Sequence, residues 1–502
     1  MTFDACLRQV RDGADDADTI DDLARAALAE GREEQAIPLV AAAAGKRSDP
    51  LLWQWAGLLH RALDYHQQAL ECLATAARLA PADARIAHGV AQIAFEAGID
   101  SDALYEQARR LAPADPDILL GLTAARMAAG QAPIALAELE QTLDAAPLWA
   151  AGHAQLAQLR ALLGEPDLAD ASLERALARH PGQAALWLAL CDLHLRRRAY
   201  AQLSAVVDRA AAAGHAGAGF AFYRAVAAGE LDSPRAAEWL ADAAVAANPA
   251  LAIWRVRHLL RRGRTASALP LIDRELASER RQAIWPYAAT AWRLARDPRG
   301  AWLEDRPGLV STVDLGADFA PIDGLADVLR GIHRRSGEYL DQSVRGGTQT
   351  DGPLLSRIDP RIRALRATIV RAIEHHVESL PAPDPAHPLL GPPRDRRIRF
   401  AGSWSVRLRG GGHHANHVHP QGWISSALYV ALPAQADDEP SDAGWLTLGQ
   451  PPSELGLDLA PHATIEPKPG QLVLFPSWMW HGTRPFAHGE RLTVAFDIAL
   501  PR

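Results

Sequence analysis

The stretch "NHVHPQGWISSALYV", Asn416 to Val430, holds two histidines one residue apart, then a proline, then an alternating run of strand type. Successive strand residues point to opposite faces, so His417 and His419 share one face. They are either metal ligands or polar residues on a wet sheet edge. Around them lie further short alternating or apolar runs: "RIRFAGSWSVRL", "WISSALYVALP", "GWLTLG", "ATIEP", "QLVLFP" and "RLTVAFDIAL". Gly- and Pro-containing turns separate them. Many short strands spaced this way predict a β-sandwich or jelly-roll barrel. Upstream, the pattern predicts a helix near 323–338, a long helix around 360–379 and a Pro-rich connection, "LPAPDPAHPLLGPPRDR".

The first half reads differently. From Asp18 to about Pro298 the chain is rich in Ala and Leu with helical periodicity. Prolines recur at Pro81, Pro113, Pro147 and Pro181, and Pro249 keeps the same phase after one unit without proline. Within the unit that follows Pro147, Gly164 falls between two helices, and Ala169, Leu173 and Ala176 are assigned to the second. Gly130 with Ala135, and Gly98 with Ala103, hold the corresponding places earlier. Small residues let paired helices approach, glycine makes the turn and proline stops the second helix. The phase resembles the tetratricopeptide repeat, whose period is about 34 residues. That resemblance implies a surface for protein or peptide binding, with dimerisation or packing as the alternative. Trp187 and Trp254, near the bulky first-helix position, are expected in the core.

Composition limits the function classes. The chain has 502 residues, 48% of them hydrophobic and 22% charged, enough for two or more cored domains. A net charge of −8 offers no general attraction to nucleic acid. Lys46 and Lys468 are the lysines, so nearly all positive charge is Arg. No stretch reads as a signal peptide or membrane span. Cys6, Cys72 and Cys191 are too few and too scattered for a disulfide framework or thiolate metal site, so a reducing cytoplasm is expected.

Three features of the second half carry chemistry. His417 and His419 form the close pair, and "PKPGQLVLFPSWMWHGT" brings a strand, a turn and His481. Arg491 then opens the last strand. A metal bound by one close pair and one distant imidazole keeps positions open, as non-haem Fe(II) requires to hold a cosubstrate and O₂ together. A buried Arg suits the far carboxylate of a dicarboxylic acid such as 2-oxoglutarate, because its fork matches a carboxylate bidentately.

Together, "QSVRGGTQTDGPLL" (342–355), "GSWSVRLRGGGHHANHVHPQGWISSALYVALP" (402–433), "GWLTLGQPP" (444–452) and "PKPGQLVLFPSWMWHGTRPFAHGERLTVAFDIALP" (467–501) resemble the 2-oxoglutarate/Fe(II) dioxygenase superfamily. More narrowly, they are similar to an oxygenase family found behind tetratricopeptide repeats. The resemblance implies a multidomain chain: an all-α tetratricopeptide-type solenoid over 1–300, then a double-stranded β-helix (jelly-roll) domain with flanking helices over 301–502. It implies Fe(II), 2-oxoglutarate and O₂ as cofactor and cosubstrates, and a protein or peptide partner. It makes His417 and His481 metal ligands and Arg491 the 2-oxoglutarate anchor. Thr493 and Tyr429 would assist the anchor, and Arg407 would be a further cosubstrate contact.

His419 departs from the pattern, since the superfamily usually has a carboxylate there. It is a third ligand, a substrate contact or a structural residue. His413 and His414, in the Gly-rich turn, are expected at the solvent or the mouth. His375 and His376, in "EHHVE", are expected on a solvated helix face. "SVRGGTQTDG" lacks the Lys-Ser/Thr ending of a phosphate loop. Two rival readings remain: a cupin-like, 2-oxoglutarate-independent metal enzyme, in which Arg491 has no role, and a repeat scaffold whose barrel has lost catalysis.

Overall fold

The computed structural model describes residues 1–501 except 243, 244, 246, 247, 320, 321, 323, 335, 336, 338, 341, 435, 437 and 438, and without the side chains of 317 and 318. Paired antiparallel helices fill the first half. The first helices of five successive pairs are Ala17–Glu30, Pro50–Ala62, Ala84–Glu96, Pro116–Ala128 and Ala150–Leu162. Asp49, Asp83 and Asp115 cap three of them by accepting backbone N–H bonds from the first turn. Each such cap is worth about 1 kcal/mol. Gly98, Gly130 and Gly164 have φ of 77°, 81° and 83°, the left-handed turn that a side chain would disfavour. Ala135, Ala169, Leu173 and Ala176 are buried between helices, as their spacing predicts. Ala103 is not: it is exposed, and Ser101 is buried beside it. Ala169 also precedes its helix, which begins at Ala171 after a 3₁₀ turn. Trp187 is a core residue whose indole N–H donates to Pro181 O, while Trp254 is half-buried.

The second half is a double-stranded β-helix. Its strands are β1 (Ser311–Asp314), β2 (Val344–Gln349), β3 (Phe400–His414), β4 (Gly422–Ala431), β5 (Leu446–Leu448), β6 (Ala463–Ile465), β7 (Gln471–Pro476), β8 (His481–Thr483) and β9 (Glu490–Ala499). One sheet has the order β1-β7-β4-β9-β3-β2 and the other β6-β5-β8, and all pairings are antiparallel. Period-two alternation gives the large sheet two apolar faces. Leu472, Leu474, Val494, Phe496 and Ile498 meet Leu365, Ile369 and Ile373 of the helix Pro360–Ser379. Val473, Phe475 and Tyr429 face inward, in one cluster with Leu446 and Leu448 of the small sheet. His376 of that long helix is buried and bonds Ser311 Oγ through Nδ1 at 3.0 Å, so only His375 lies on the solvated face. The Gly-rich segment before the histidine pair is also strand rather than turn, because β3 runs on to His414.

The two halves are joined along a seam. Gly31 O accepts from Arg399 Nη2 (2.6 Å), Leu63 O from Arg366 Nη2 (3.0 Å) and Ala97 O from Ile358 N (3.0 Å). Ala128 O accepts from Arg334 Nη1 (3.3 Å) and Leu162 O from Gly337 N (3.1 Å). Each acceptor ends a first helix, where carbonyls lack intrahelical donors and carry the negative end of the helix dipole. Further along, Trp285, Tyr287 and Trp292 of the array share a core with Trp478 and Trp480 of the barrel. No described helix is long and apolar enough to cross a membrane.

Candidate metal centre

His417 and His419 sit in the segment between β3 and β4, not in a strand. Their convergence comes from backbone pairing instead. His417 and His481 exchange N–H···O bonds of 3.0 Å in an isolated bridge, and His419 N donates to Ser477 O at 3.0 Å. The three side chains offer nitrogens that all lie within 4.8 Å of one another. Ring centroids are 4.2 Å apart for His417–His481, 4.9 Å for His417–His419 and 5.1 Å for His419–His481.

The tautomers follow from the partners. His417 Nδ1 meets Ala415 O at 2.9 Å and His481 Nδ1 meets Met479 O at 3.0 Å. A carbonyl oxygen only accepts, so both Nδ1 atoms carry the proton and both Nε2 atoms keep a lone pair. Burial, with the neighbouring imidazoles, holds both rings well below the usual histidine range, so both are neutral. Ser343 Oγ lies 3.1 Å from His417 Nε2 and can donate to that lone pair. His419 Nδ1 donates to Asp497 Oδ2 at 2.5 Å, and Asp497 Oδ1 accepts from Ser425 Oγ at 2.6 Å. His419 therefore also presents Nε2 to the cluster. Its ring lies parallel to Trp404, 5.4 Å between centroids and 9° between planes. A carboxylate thus stands directly behind His419. A carboxylate on the far nitrogen is what metal-bound imidazoles commonly have.

The same pocket continues to Arg491, Thr493 and Asp497. Starting from Arg491, period two along β9 brings these residues and Ala495 to one face. Arg491 is 3% exposed and its Nε has no hydrogen-bond partner. Its guanidinium carbon lies 5.1 Å from the centroid of the Tyr429 ring. Tyr429 is fully buried with its hydroxyl beside that guanidinium but in no well-formed hydrogen bond; burial raises its pKa and the neighbouring Arg491 charge opposes the rise. Thr493 Oγ1 reaches Val406 O at only 3.5 Å. Arg407 does not join them. It pairs across the strands with Leu492 on the opposite face and bonds Glu490 at 2.5 Å, which Arg330 also bonds. His414 lines the pocket edge, its ring stacked 5.9 Å from that of His417, and burial drives its pKa down to about 3. His413 lies outside the pocket lining.

The residues present fit a divalent metal with an anionic cosubstrate. Three converging imidazoles, two of them held neutral by burial, form a nitrogen donor set suited to iron and leave coordination positions open. Beside them stands a buried cation that forms no ion pair among the described residues.

Residues 402–497 match the family described as "Putative 2OG-Fe(II) oxygenase". A Pseudomonas putida prolyl-4-hydroxylase structure is 19% identical over 38% of this chain and 92% of its own, with a TM-score of 0.26. MamA is 15% identical over 33% of this chain and 92% of its own, with a TM-score of 0.29. YrrB, described as a TPR protein with an unusual peptide-binding site, is 14% identical over 37% and 97%, with a TM-score of 0.29. A comparison with curated proteins gives no match. The chain joins a tetratricopeptide-type helical array to a C-terminal domain that matches the 2OG-Fe(II) oxygenase family over residues 402–497.

Proposed function

We propose that this chain is an Fe(II)- and 2-oxoglutarate-dependent dioxygenase that hydroxylates a protein or peptide, with residues 1–300 as the array and 301–502 as the oxygenase domain. The observation that carries this reading is Arg491. A guanidinium buried to 3% exposure, with no carboxylate paired to it among the described residues, costs several kcal/mol of desolvation. A dianionic cosubstrate offsets that cost. A cupin-like metal enzyme or a pure scaffold gives this cation nothing to do.

His417, His419 and His481 would hold the ion through Nε2. Bound Fe(II), with O₂ and 2-oxoglutarate, supplies the oxidising power to insert one oxygen atom into a substrate C–H bond, as 2-oxoglutarate becomes succinate and CO₂. Arg491 grips the far carboxylate in a bidentate fork, and the Tyr429 hydroxyl beside it donates to the same group. Thr493 offers a further hydroxyl from the same face. Asp497 fixes the tautomer of His419 and makes it a better donor. Trp404 stacks on that ring and shields it from water. The three cysteines are free and buried, which agrees with a reducing, cytoplasmic setting.

The test is succinate release from 2-oxoglutarate in the presence of Fe(II) and O₂, with and without candidate peptides. Wild-type protein should release succinate, and His481→Ala should not. Release that is absent from wild-type protein holding a full equivalent of iron would leave the scaffold reading standing.

A further inference from the structure

The cleft outside the three histidines is not built by the oxygenase domain alone. It has a volume of about 420 Å³, and its lining includes His417, His419 and Trp404 on one side and Arg257 and Tyr287 of the helical array on the other. It shares Gln342, Gln349 and Trp404 with a second cleft of about 630 Å³, which runs on to Arg61, His66 and Glu96 of the array. The two form one elongated passage between array and barrel, with the histidines part of the way along it.

Arg257 and Tyr287 are held firmly at this wall. Arg257 Nε and Nη2 donate to the two carboxylate oxygens of Glu230, both at 2.9 Å. Its Nη1 makes one long bond of 3.4 Å to Tyr287 Oη. Tyr287 Oη accepts that bond and gives its own proton to no acceptor among the described residues. The Tyr287 ring packs edge-on against Trp480, 5.5 Å between centroids, next in sequence to His481. Glu230 offsets the charge of Arg257, and Glu454 does the same for Arg198 at the cleft rim. On the array side the wall thus presents hydrogen-bond donors with little net charge, which suits a neutral carbonyl oxygen, while Arg345 of β2 also lines the cleft.

We propose that the array supplies a wall of the substrate cleft, where Tyr287 O–H and Arg257 Nη1–H bind a main-chain carbonyl of an extended peptide lying along the passage. This deepens the oxygenase reading and rests on it. The seam supports it from a second side, since the array's first-helix ends are already engaged by the oxygenase domain. On this account the array sets specificity at the site itself.

The test uses the full chain with Fe(II), O₂ and 2-oxoglutarate. A library of 12-residue peptides, N-acetylated and C-amidated, is assayed beside a panel of free amino acids and small carboxylic acids. Substrate mass and succinate are both read. Wild-type protein should oxidise a subset of the peptides. For those, Tyr287→Phe, which keeps the ring packing and removes only the hydroxyl, should raise KM about tenfold with kcat kept, the mark of lost uniform binding. Arg257→Gln should act in the same direction. An unchanged KM for Tyr287→Phe overturns the proposal, and so does oxidation confined to the small acids. Succinate formation with no peptide oxidised also overturns it and leaves the oxygenase reading intact. No succinate with any compound overturns the oxygenase reading, and this proposal with it.

Discussion

Asp497 offers the sharpest quantitative test of the metal centre. Its two carboxylate oxygens are both used, one by His419 Nδ1 at 2.5 Å and one by Ser425 Oγ at 2.6 Å. In Asp497→Asn the amide oxygen still accepts from His419, and the amide nitrogen can donate to Ser425 Oγ, which then donates to Ser477 Oγ, 2.9 Å away. The fold is kept and the charge is lost. Partners of this kind commonly change metal affinity by about 10–100-fold, or about 1.4–2.8 kcal/mol. We expect about tenfold weaker Fe(II) binding for Asp497→Asn. Asp497→Ala should approach hundredfold, with the stacked Trp404 limiting how far the ring can turn. Anaerobic Fe(II) titration, repeated with Mn(II), reads both. The effect must also vanish in a His419→Ala background, because Asp497 acts through that ring and double-mutant coupling reports it. Wild-type affinity in both Asp497 variants, or an equal loss in the His419→Ala background, would mean that Asp497 does not act on the metal through His419.

Other outcomes follow from the same geometry. His419→Asp restores the usual carboxylate ligand and should still bind Fe(II), whereas His419→Ala should bind more weakly by iron stoichiometry. Full affinity in His419→Ala with turnover lost would make His419 a substrate contact. Arg491→Ala should keep iron and lose 2-oxoglutarate binding by about 3–5 kcal/mol, read by calorimetry, since it removes one partner of a buried charge pair. Burial holds the pKa of His333 and His376 down to about 4. Their folded values lie below the unfolded value near about 6.5, so the unfolded chain takes up protons first. Stability from each is therefore complete above about pH 6.5 and falls away towards pH 4, by about 3 kcal/mol at most. His376→Gln should flatten that part of a denaturation-against-pH profile, and an unchanged slope would contradict it.

Long-range phase made most of the architecture legible. The glycines at 98, 130 and 164 mark helical turns because every unit needs the same left-handed residue. Leu472, Leu474, Val494 and Phe496 mark sheet faces because period two leaves no other choice. Short or context-made elements were not legible. β8 is three residues long, and β1 is four residues that become a strand only by pairing with β7. Ala103 misleads because its own unit, Pro81 to Pro113, is two residues shorter than the next, which brings Ser101, Tyr105 and Ala108 to the buried face instead. Arg407 misleads because strand parity, not proximity in sequence, decides the face: Leu408 pairs with Arg491, so Arg407 points away. His376 is buried by the docking of β1, which no local pattern announces.

The histidine cluster was legible and the residues that support it less so. His417 and His481 stand out by spacing. They meet through a two-residue bridge rather than the strand alternation that first suggests a shared face. Asp497 carries a signal that parity from Arg491 would expose, since an acid on the inward face of an apolar strand requires a partner. Trp404 and Ser343 become site residues only when β3 and β2 are brought beside the histidines, and Tyr287 only when the array docks.

In the proposed site one Fe(II) on His417, His419 and His481 shares its pocket with a 2-oxoglutarate anchored by Arg491. The direct measurement is anaerobic titration of 2-oxoglutarate into Fe(II)-loaded protein, followed by the visible absorption that appears when a 2-oxo acid chelates the ion. Wild-type protein should bind one iron and develop the band to saturation with one equivalent of 2-oxoglutarate. Arg491→Ala should keep the iron and need far more 2-oxoglutarate. A wild-type chain that holds no iron, or a band that forms at the same concentration in Arg491→Ala, would contradict the account.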